Sequence, residues 1–333
     1  MFNRASALKR AHFPAIPLRS FRLLPALFLM LSCSQSPEPI FRVATNVWPG
    51  YEPLYLARSL GRFENSSIRL VEMPSASQVS HAMRNRTVEA AALTLDETLT
   101  LLLEGNLDLR VVLVMDISNG ADVLLGNADI ADLQSLRGKR IGVENTATGA
   151  VVLAAALRSA GLSANDIIVV PKTVNDHLAA WKNRELDAVV TFEPVRSRLL
   201  NSGARELFDS SRIPGTIMDV LVVRADVLEK HQAAIKTLVA GYFTGIDYIS
   251  AHPEDAAQRM ARRLSTDPAQ VMPQFTGLKL PTPEENRRWL ATAEPALNKS
   301  AAELAKLMHE QHLLQTEVSA DRLAEPKFLP ANP

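Results

Sequence analysis

The stretch FRVATNVWPGYEPLYLARSL, residues 41–60, decides how the rest of the chain is read. Phe41–Val47 reads as a strand, and Pro53–Leu60 as a helix. A strand that passes through a tight loop into a helix is the first half of a βαβ unit, and the rhythm recurs downstream. Strands read at Ser67–Glu72, Val88–Thr94, Leu109–Asp116 and Val123–Gly126, with helices at Ser77–Asn85 and Asp96–Glu104. Lys139–Val143, Ile167–Val170, Ala188–Thr191 and Glu206–Phe208 continue the strands, separated by helices at Gly149–Ala160, Val174–Asn183 and Pro194–Ser202. The pattern predicts an α/β chain with parallel sheets and helices on both faces. After a strand at Met218–Arg224 the chain reads as almost wholly helical, with segments at Asp226–Ala251 and Pro253–Leu264, a short one near Pro268, and further ones at Pro283–Ala293 and Ser300–Gln311. The proline-rich end, EPKFLPANP, reads as an extended tail.

Three helix starts carry a capping-box pattern: Thr94 to Glu97, Thr173 to Asp176, and Thr282-Pro283-Glu284-Glu285. Two other stretches, Gly120–Gly126 and Pro214–Val220, read as crossings between lobes. Residues 122–218 then form one lobe, and residues 41–121 with 219–325 form the other. Two crossings between two α/β lobes describe a clamshell whose ligand sits in the cleft.

Residues 1–32 read as a signal peptide: five basic residues, no acidic ones, and an apolar core at Leu23–Leu31 too short to span a bilayer. Ser32-Cys33 follows as a cleavage and lipidation site, and residues 33–40 (with SQSPEP) as a tether. The alternative is a plain secretory signal with an incidental cysteine. Charge is balanced at 36 basic and 36 acidic residues, so removal of the basic leader leaves a mildly acidic body. Nothing in it suggests nucleic acid, which asks for a basic face. Cys33 is the only cysteine, which excludes disulfides, zinc–thiolate sites and thiol nucleophiles from the body.

Enzyme motifs are missing: no phosphate-binding glycine loop, no nucleophile elbow and no HExxH. His309 and His312 lie three apart on a charged helix and read as solvated rather than metal-binding. His81, His177, His231 and His252 read as surface residues. The expectation is no catalytic residue, no metal and no cofactor.

Ligand candidates cluster at carboxyl ends of strands, where open α/β sheets bind their ligands. Trp48 and Tyr51, in the loop after the first strand, offer a stacking wall with polar tips; packing onto their own lobe is the alternative. Thr94 and Asp96 follow another strand, and serve either the cleft or the helix start. Thr146, Thr148 and Gly149, in Glu144-Asn-Thr-Ala-Thr-Gly149, form a cradle of hydroxyls and N–H groups, with capping by Thr148 as the competing account. Glu193, after the strand ending in Thr191, is placed to accept from a ligand amine or ring N–H, or to sit favourably at a helix start. Asp122 and Asp219 lie in the crossings, lining the cleft or holding the hinge.

Several of these segments together resemble the solute-binding proteins for nitrate, aliphatic sulfonates, taurine and the thiamine-pyrimidine precursor, which feed ABC importers. The carriers are Trp48-Pro-Gly-Tyr51-Glu-Pro-Leu-Tyr-Leu-Ala57, Glu89-Ala-Ala-Ala-Leu-Thr94, Asn119-Gly-Ala-Asp122, Leu136–Val143, Ala160-Gly-Leu-Ser163 and Leu186–Pro194. The resemblance implies a type II periplasmic-binding fold closing on its ligand, with Trp48, Thr94, Asp96, Asp122, Thr146–Gly149 and Glu193 facing the cleft. It also implies an extracytoplasmic, lipid-anchored monomer that hands a small polar molecule (amine, sulfonate or pyrimidine) to an ABC permease. A membrane sensor is the alternative partner. An enzyme branch of the family makes the thiamine pyrimidine through a cysteine-rich iron site, and the cysteine-free body argues against it. The acids among the candidates, with no obvious arginine, tilt the ligand toward an amine or ring N–H.

Overall fold

The computed structural model describes residues 38–104, 107–316 and 319–331. The leader, Cys33 and the first part of the tether lie outside the described residues. In chain order the first run is β1 (Phe41–Thr45), α1 (Glu52–Ser59), β2 (Ile68–Glu72), α2 (Ala76–Arg84), β3 (Ala90–Thr94), α3 (Leu95–Glu104) and β4 (Leu109–Ser118). The second is β5 (Val123–Gly126), β6 (Arg140–Val143), α4 (Ala147–Ser159), β7 (Ile168–Pro171), α5 (Val174–Lys182), β8 (Ala188–Thr191), α6 (Val195–Leu200) and β9 (Arg205–Asp209). The chain then returns through β10 (Met218–Arg224) into α7 (Gln232–Ala251), α8 (Pro253–Leu264), β11 (Leu278–Lys279), α9 (Pro283–Leu290) and α10 (Ala296–Glu310).

The strands form two sheets, ordered β11-β4-β10-β3-β1-β2 and β7-β6-β8-β5-β9. Their inner strands β3, β5, β8 and β10 are buried on both faces, as the near-continuous apolar runs require. Along β3, Ala90 and Ala92 pack into one apolar cluster while Ala91 and Leu93 pack into another. In β5, Leu124 faces one cluster while Val123 and Leu125 face the opposite one.

The sheets are mixed, not parallel as the βαβ rhythm predicts. β1 runs parallel to β2 and β3, and β6 to β7 and β8, but β10 is antiparallel to β3 and β4, and β5 to β8 and β9. Of the reversed strands, short β11 runs antiparallel to β4 at the sheet edge, and the other two, β5 and β10, follow the crossings. A chain leaving one sheet at its cleft end enters the other sheet at the cleft end too, so it must run against that sheet's parallel strands. The crossings themselves are tied together: the Ser118 and Ser210 hydroxyls lie 2.7 Å apart, and Gly120 N–H donates to Ser210 Oγ at 2.7 Å.

The helical extension is built onto the first lobe. α7 lies directly against α1, because a Cβ on Gly245 would come 2.2 Å from the Pro53 carbonyl oxygen. The outer edge of β4 is covered piecewise. β11 pairs with Ile117 and Ser118, the Asn286 amide accepts from Val114 N–H at 2.7 Å and donates to Val114 O at 3.1 Å, and Val111 bridges to the terminal segment at Ala324. An otherwise open strand edge is thereby closed to other chains. The tail read as extended is therefore docked, with Phe328 only 2% exposed. The helix read at Asp226–Ala251 starts at Gln232, after a 3₁₀ turn at Ala225–Val227. The Thr173 box is also corrected: Thr173 Oγ1 donates to Asp176 Oδ2 at 2.7 Å, and its side chain takes no backbone N–H.

Candidate functional site

The cleft ends of both sheets meet around a small cavity. From the first sheet come Asn46, Trp48 and Tyr51 after β1, Thr94 and Glu97 at the start of α3, and Asp219 at the start of β10. From the second come Asp122, Glu144, Thr146, Thr148, Gly149, His177 and Phe192. Of the residues singled out in the sequence, Trp48, Tyr51, Thr94, Asp122, Thr146, Thr148, Gly149 and Asp219 are thus brought together. Asp96 lies one layer behind, accepting from Thr148 Oγ1 at 2.8 Å.

Glu193 is not in the cavity. Its carboxylate accepts from Ser197 N–H at 3.1 Å and Ser197 Oγ at 2.9 Å, holding the first turn of α6. The neighbouring Phe192 faces the cavity instead. Its ring meets Trp48 edge-on, with centroids 5.3 Å apart and planes at 88°, so one aromatic wall is assembled from both lobes. Trp48 is 4% exposed and donates through Nε1 to Asp116 Oδ2 at 3.1 Å, so it packs and lines at once.

Capping also falls differently from expectation. Thr146, not Thr148, caps α4, accepting from Gly149 N–H at 3.3 Å. Thr148 is free to bridge the lobes: its hydroxyl donates to Asp96, so the Thr94 hydroxyl, 2.8 Å away, donates to it. Thr94 keeps its box with Glu97, through bonds of 3.2 and 3.4 Å.

The electrostatics are one-sided. Among the described residues no lysine or arginine lines the cavity, while Glu97, Asp122, Glu144 and Asp219 do. Asp116, fully buried behind Trp48, adds another carboxyl. Burial without a cation holds Glu97, Asp116, Asp122 and Asp219 in their neutral forms to unusually high pH. The Asp122 carboxyl is pushed up to about 6, Asp116 to about 7 and Glu97 to about 8, with Asp96 adding to the last. Asp219 rises well above the carboxylate range, through burial and then the charge of Asp116. Oδ1 of Asp96, Oδ1 of Asp116 and Oδ2 of Asp122 are buried and lack a hydrogen-bond partner. Two of the histidines read as surface residues are buried, His231 at 5% exposed and His177. The latter is 1% exposed, bonded to Thr191 Oγ1 and the Lys172 carbonyl at 3.2 Å each, and burial lowers it to about 4, so the ring is neutral.

Glu144 stands where an anion would be sought. One oxygen accepts from Ser77 N–H at 2.9 Å and Ser77 Oγ at 2.6 Å in the first lobe. The other accepts from Val174 N–H at 3.2 Å at the start of α5 in its own lobe. Helix starts favour anions. Here the chain's own oxygens take up that role: Glu144 at α2 and α5, Thr94 at α3, Thr146 at α4 and Glu193 at α6.

Sequence reasoning missed Asp116, Glu97, Glu144, His177 and Phe192 as cleft residues. Asp116 and Asp219 did carry a signal, since each is the lone acid in an apolar strand (LRVVLVMDIS and MDVLVVR).

Residues 34–265, well over half of the chain, match the model of the NMT1-like family. The chain spans about half the length of several curated relatives, among them a putative binding protein of Brucella abortus (24% identical, 50% of this chain, 53% of the relative). A longer match is to the taurine-binding periplasmic protein of Escherichia coli, 24% identical over 80% of this chain and 87% of the relative. Among solved structures it is similar to the periplasmic aliphatic sulphonate-binding protein SsuA of Escherichia coli, with a TM-score of 0.71 at 22% identity, covering 90% of this chain and 96% of that one. It also resembles the desulfurization enzyme DSZB, with a TM-score of 0.61 at 17% identity over 87% and 97% of the two chains. At these identities the structural likeness is one of fold. With two mixed α/β sheets that meet at their cleft ends, the chain belongs to the NMT1-like family and has the fold of the periplasmic binding proteins.

Proposed function

We propose that this protein is the extracytoplasmic solute-binding component of an ABC importer, tethered to the membrane by a lipid on Cys33, and that it captures its ligand without transforming it. The periplasmic relatives support the transport role, and the Ser32-Cys33 sequence after an apolar leader core supports the anchor. DSZB has a similar fold and is an enzyme, but the body of this chain offers no thiol.

The ligand is a small organic molecule presenting an ammonium or N–H donors, not a bare sulfonate or nitrate. One observation carries this: a cavity walled by carboxyl groups, with unpartnered buried oxygens beside it and no lining cation among the described residues. A sulfonate there would meet acids whose ionised forms already resist burial, and helix starts whose N–H groups are engaged. An ammonium would give Asp122 Oδ2, the unpartnered oxygen whose residue lines the cavity, the donor it lacks.

A thermal-shift screen against amines, aminopyrimidines, taurine, alkanesulfonates and nitrate tests the reading, because a ligand bound only by the folded state raises its midpoint. Shifts with the amines or aminopyrimidines are expected. Shifts confined to the sulfonates or nitrate would refute the assignment.

A further inference from the structure

The cleft cavity has a volume of about 40 Å³. A buried water needs roughly 10–15 Å³ by this measure, so the space suits a few waters or one ammonium-sized group. Sites that enclose small organic molecules run from roughly 300 to 1,000 Å³. A second cavity, about 350 Å³, adjoins the first, and Glu97 and Thr146 line both. Its other walls come from both lobes: Ser80, His81 and Arg84 on α2, Thr100 on α3, the start of α4, and Leu313 from the terminal extension.

We propose that the ligand is elongated, with its N–H-bearing head in the inner cavity and its tail passing between Glu97 and Thr146 into this outer chamber. This rests on the amine reading above and adds the shape and the tail chemistry. The chamber's hydroxyls and its His81 and Arg84 side chains suit a tail bearing hydroxyl or amide oxygens, and Leu313 supplies an apolar side for the intervening methylenes. An amino alcohol or an ω-amino amide has this layout. Glu97, shared by both cavities, suits such a tail: burial and Asp96 push its carboxyl up to about 8, so near neutrality it is largely uncharged and a methylene chain can lie against it.

The test is calorimetric titration of the purified protein with methylammonium, ethanolamine, 4-aminobutanol and 6-aminohexanol. Affinity is expected to rise along the series by about tenfold or more, since each methylene leaves water for the chamber. Ser80→Phe, on a part-exposed position of α2, fills the chamber and should abolish that gain while leaving methylammonium binding unchanged. Equal affinity for all four amines, or equal loss for all four in S80F, would overturn the elongated ligand and leave the amine reading standing. Failure of every amine to bind overturns both. The wild-type length series decides the matter by itself where the variant does not fold.

Discussion

Asp116 and Asp219 face each other as directly opposed partners on the antiparallel pair β4 and β10, 0% and 3% exposed. Each accepts from an aromatic donor of the loop after β1, Trp48 Nε1 to Asp116 and Tyr51 OH to Asp219. Two like charges at that separation, out of water, cannot both persist, so the pair holds a proton that either residue alone would release in water.

A pH dependence of stability follows from the raised carboxyls. The folded chain keeps Asp116 protonated to about pH 7, whereas the unfolded chain releases that proton near the ordinary value of 3.8. Between these values the folded state binds more protons, so this group's contribution is complete below pH 4 and is lost as pH rises to 7. Asp122, raised to about 6, acts in the same direction. Denaturant unfolding at pH 5 and pH 8 should show greater stability at pH 5 from these groups. In Asp116→Asn the difference should shrink by about 3 kcal/mol. An unchanged difference would mean that Asp116 is ionised in the fold.

Gly50 is required by the same pair. A Cβ there would lie 1.8 Å from Asp116 Oδ2 and 2.7 Å from Trp48 Nε1. Gly50→Ala should therefore destabilise by about 1–3 kcal/mol through displacement of the carboxyl. Gly138→Ala serves as a comparison, with open space around its Cβ and its strain confined to a positive φ of 74°.

For Trp48→Ala the sequence suggests weaker ligand binding with an almost unchanged thermal midpoint. The structure revises the second half. An indole 4% exposed, packed on Phe192 and bonded to Asp116, should cost about 3–5 kcal/mol on truncation. Thermal unfolding of W48A beside Trp48→Phe, which keeps a ring but loses the N–H, separates packing from the hydrogen bond.

Glu144→Ala removes the carboxylate that joins Ser77 of one lobe to Val174 of the other. Two further contacts close the seam: Asn175 Nδ2 to the Pro74 carbonyl at 2.5 Å, and an Arg198 guanidinium nitrogen to the Leu264 carbonyl at 2.9 Å. Loss of the Glu144 bonds, worth about 1–3 kcal/mol, should shift the lobes toward an open arrangement. Small-angle scattering should then report a larger radius of gyration than wild type, and Arg198→Ala should add to it.

Cys33→Ala tests the anchor. Cell fractionation should move the protein from the membrane to the soluble fraction or leave the leader uncleaved. Processed protein still in the membrane fraction would count against lipidation.

Much of the architecture is legible in the chain because the signals are local. Val123–Gly126, Ala188–Thr191, Met218–Arg224 and Pro253–Leu264 emerge with the same bounds read from their patterns. The Thr282 box is present on both sides, with Thr282 N–H donating to Glu285 at 2.9 Å and Glu285 N–H to Thr282 at 3.2 Å. The reversed directions of β5 and β10 were not legible, since an apolar run has the same composition whichever way it is traversed. Glu193 shows the limit at the site: its position after a strand is that of a cleft residue, yet its carboxylate bonds Ser197 of α6 and Phe192 lines the cavity instead.

Alternation of apolar residues, hydroxyl caps and loop prolines determined, from the sequence alone, that this is a two-lobed α/β chain with an aromatic loop at a strand end, because those forces act across a few residues. Which carboxyls face one another, and that His177 is buried beside them, was decided only by the tertiary structure. Asp116 and Asp219 lie on opposite sides of an entire lobe in the chain, and only the pairing of β4 with β10 puts their charges in the same dry space.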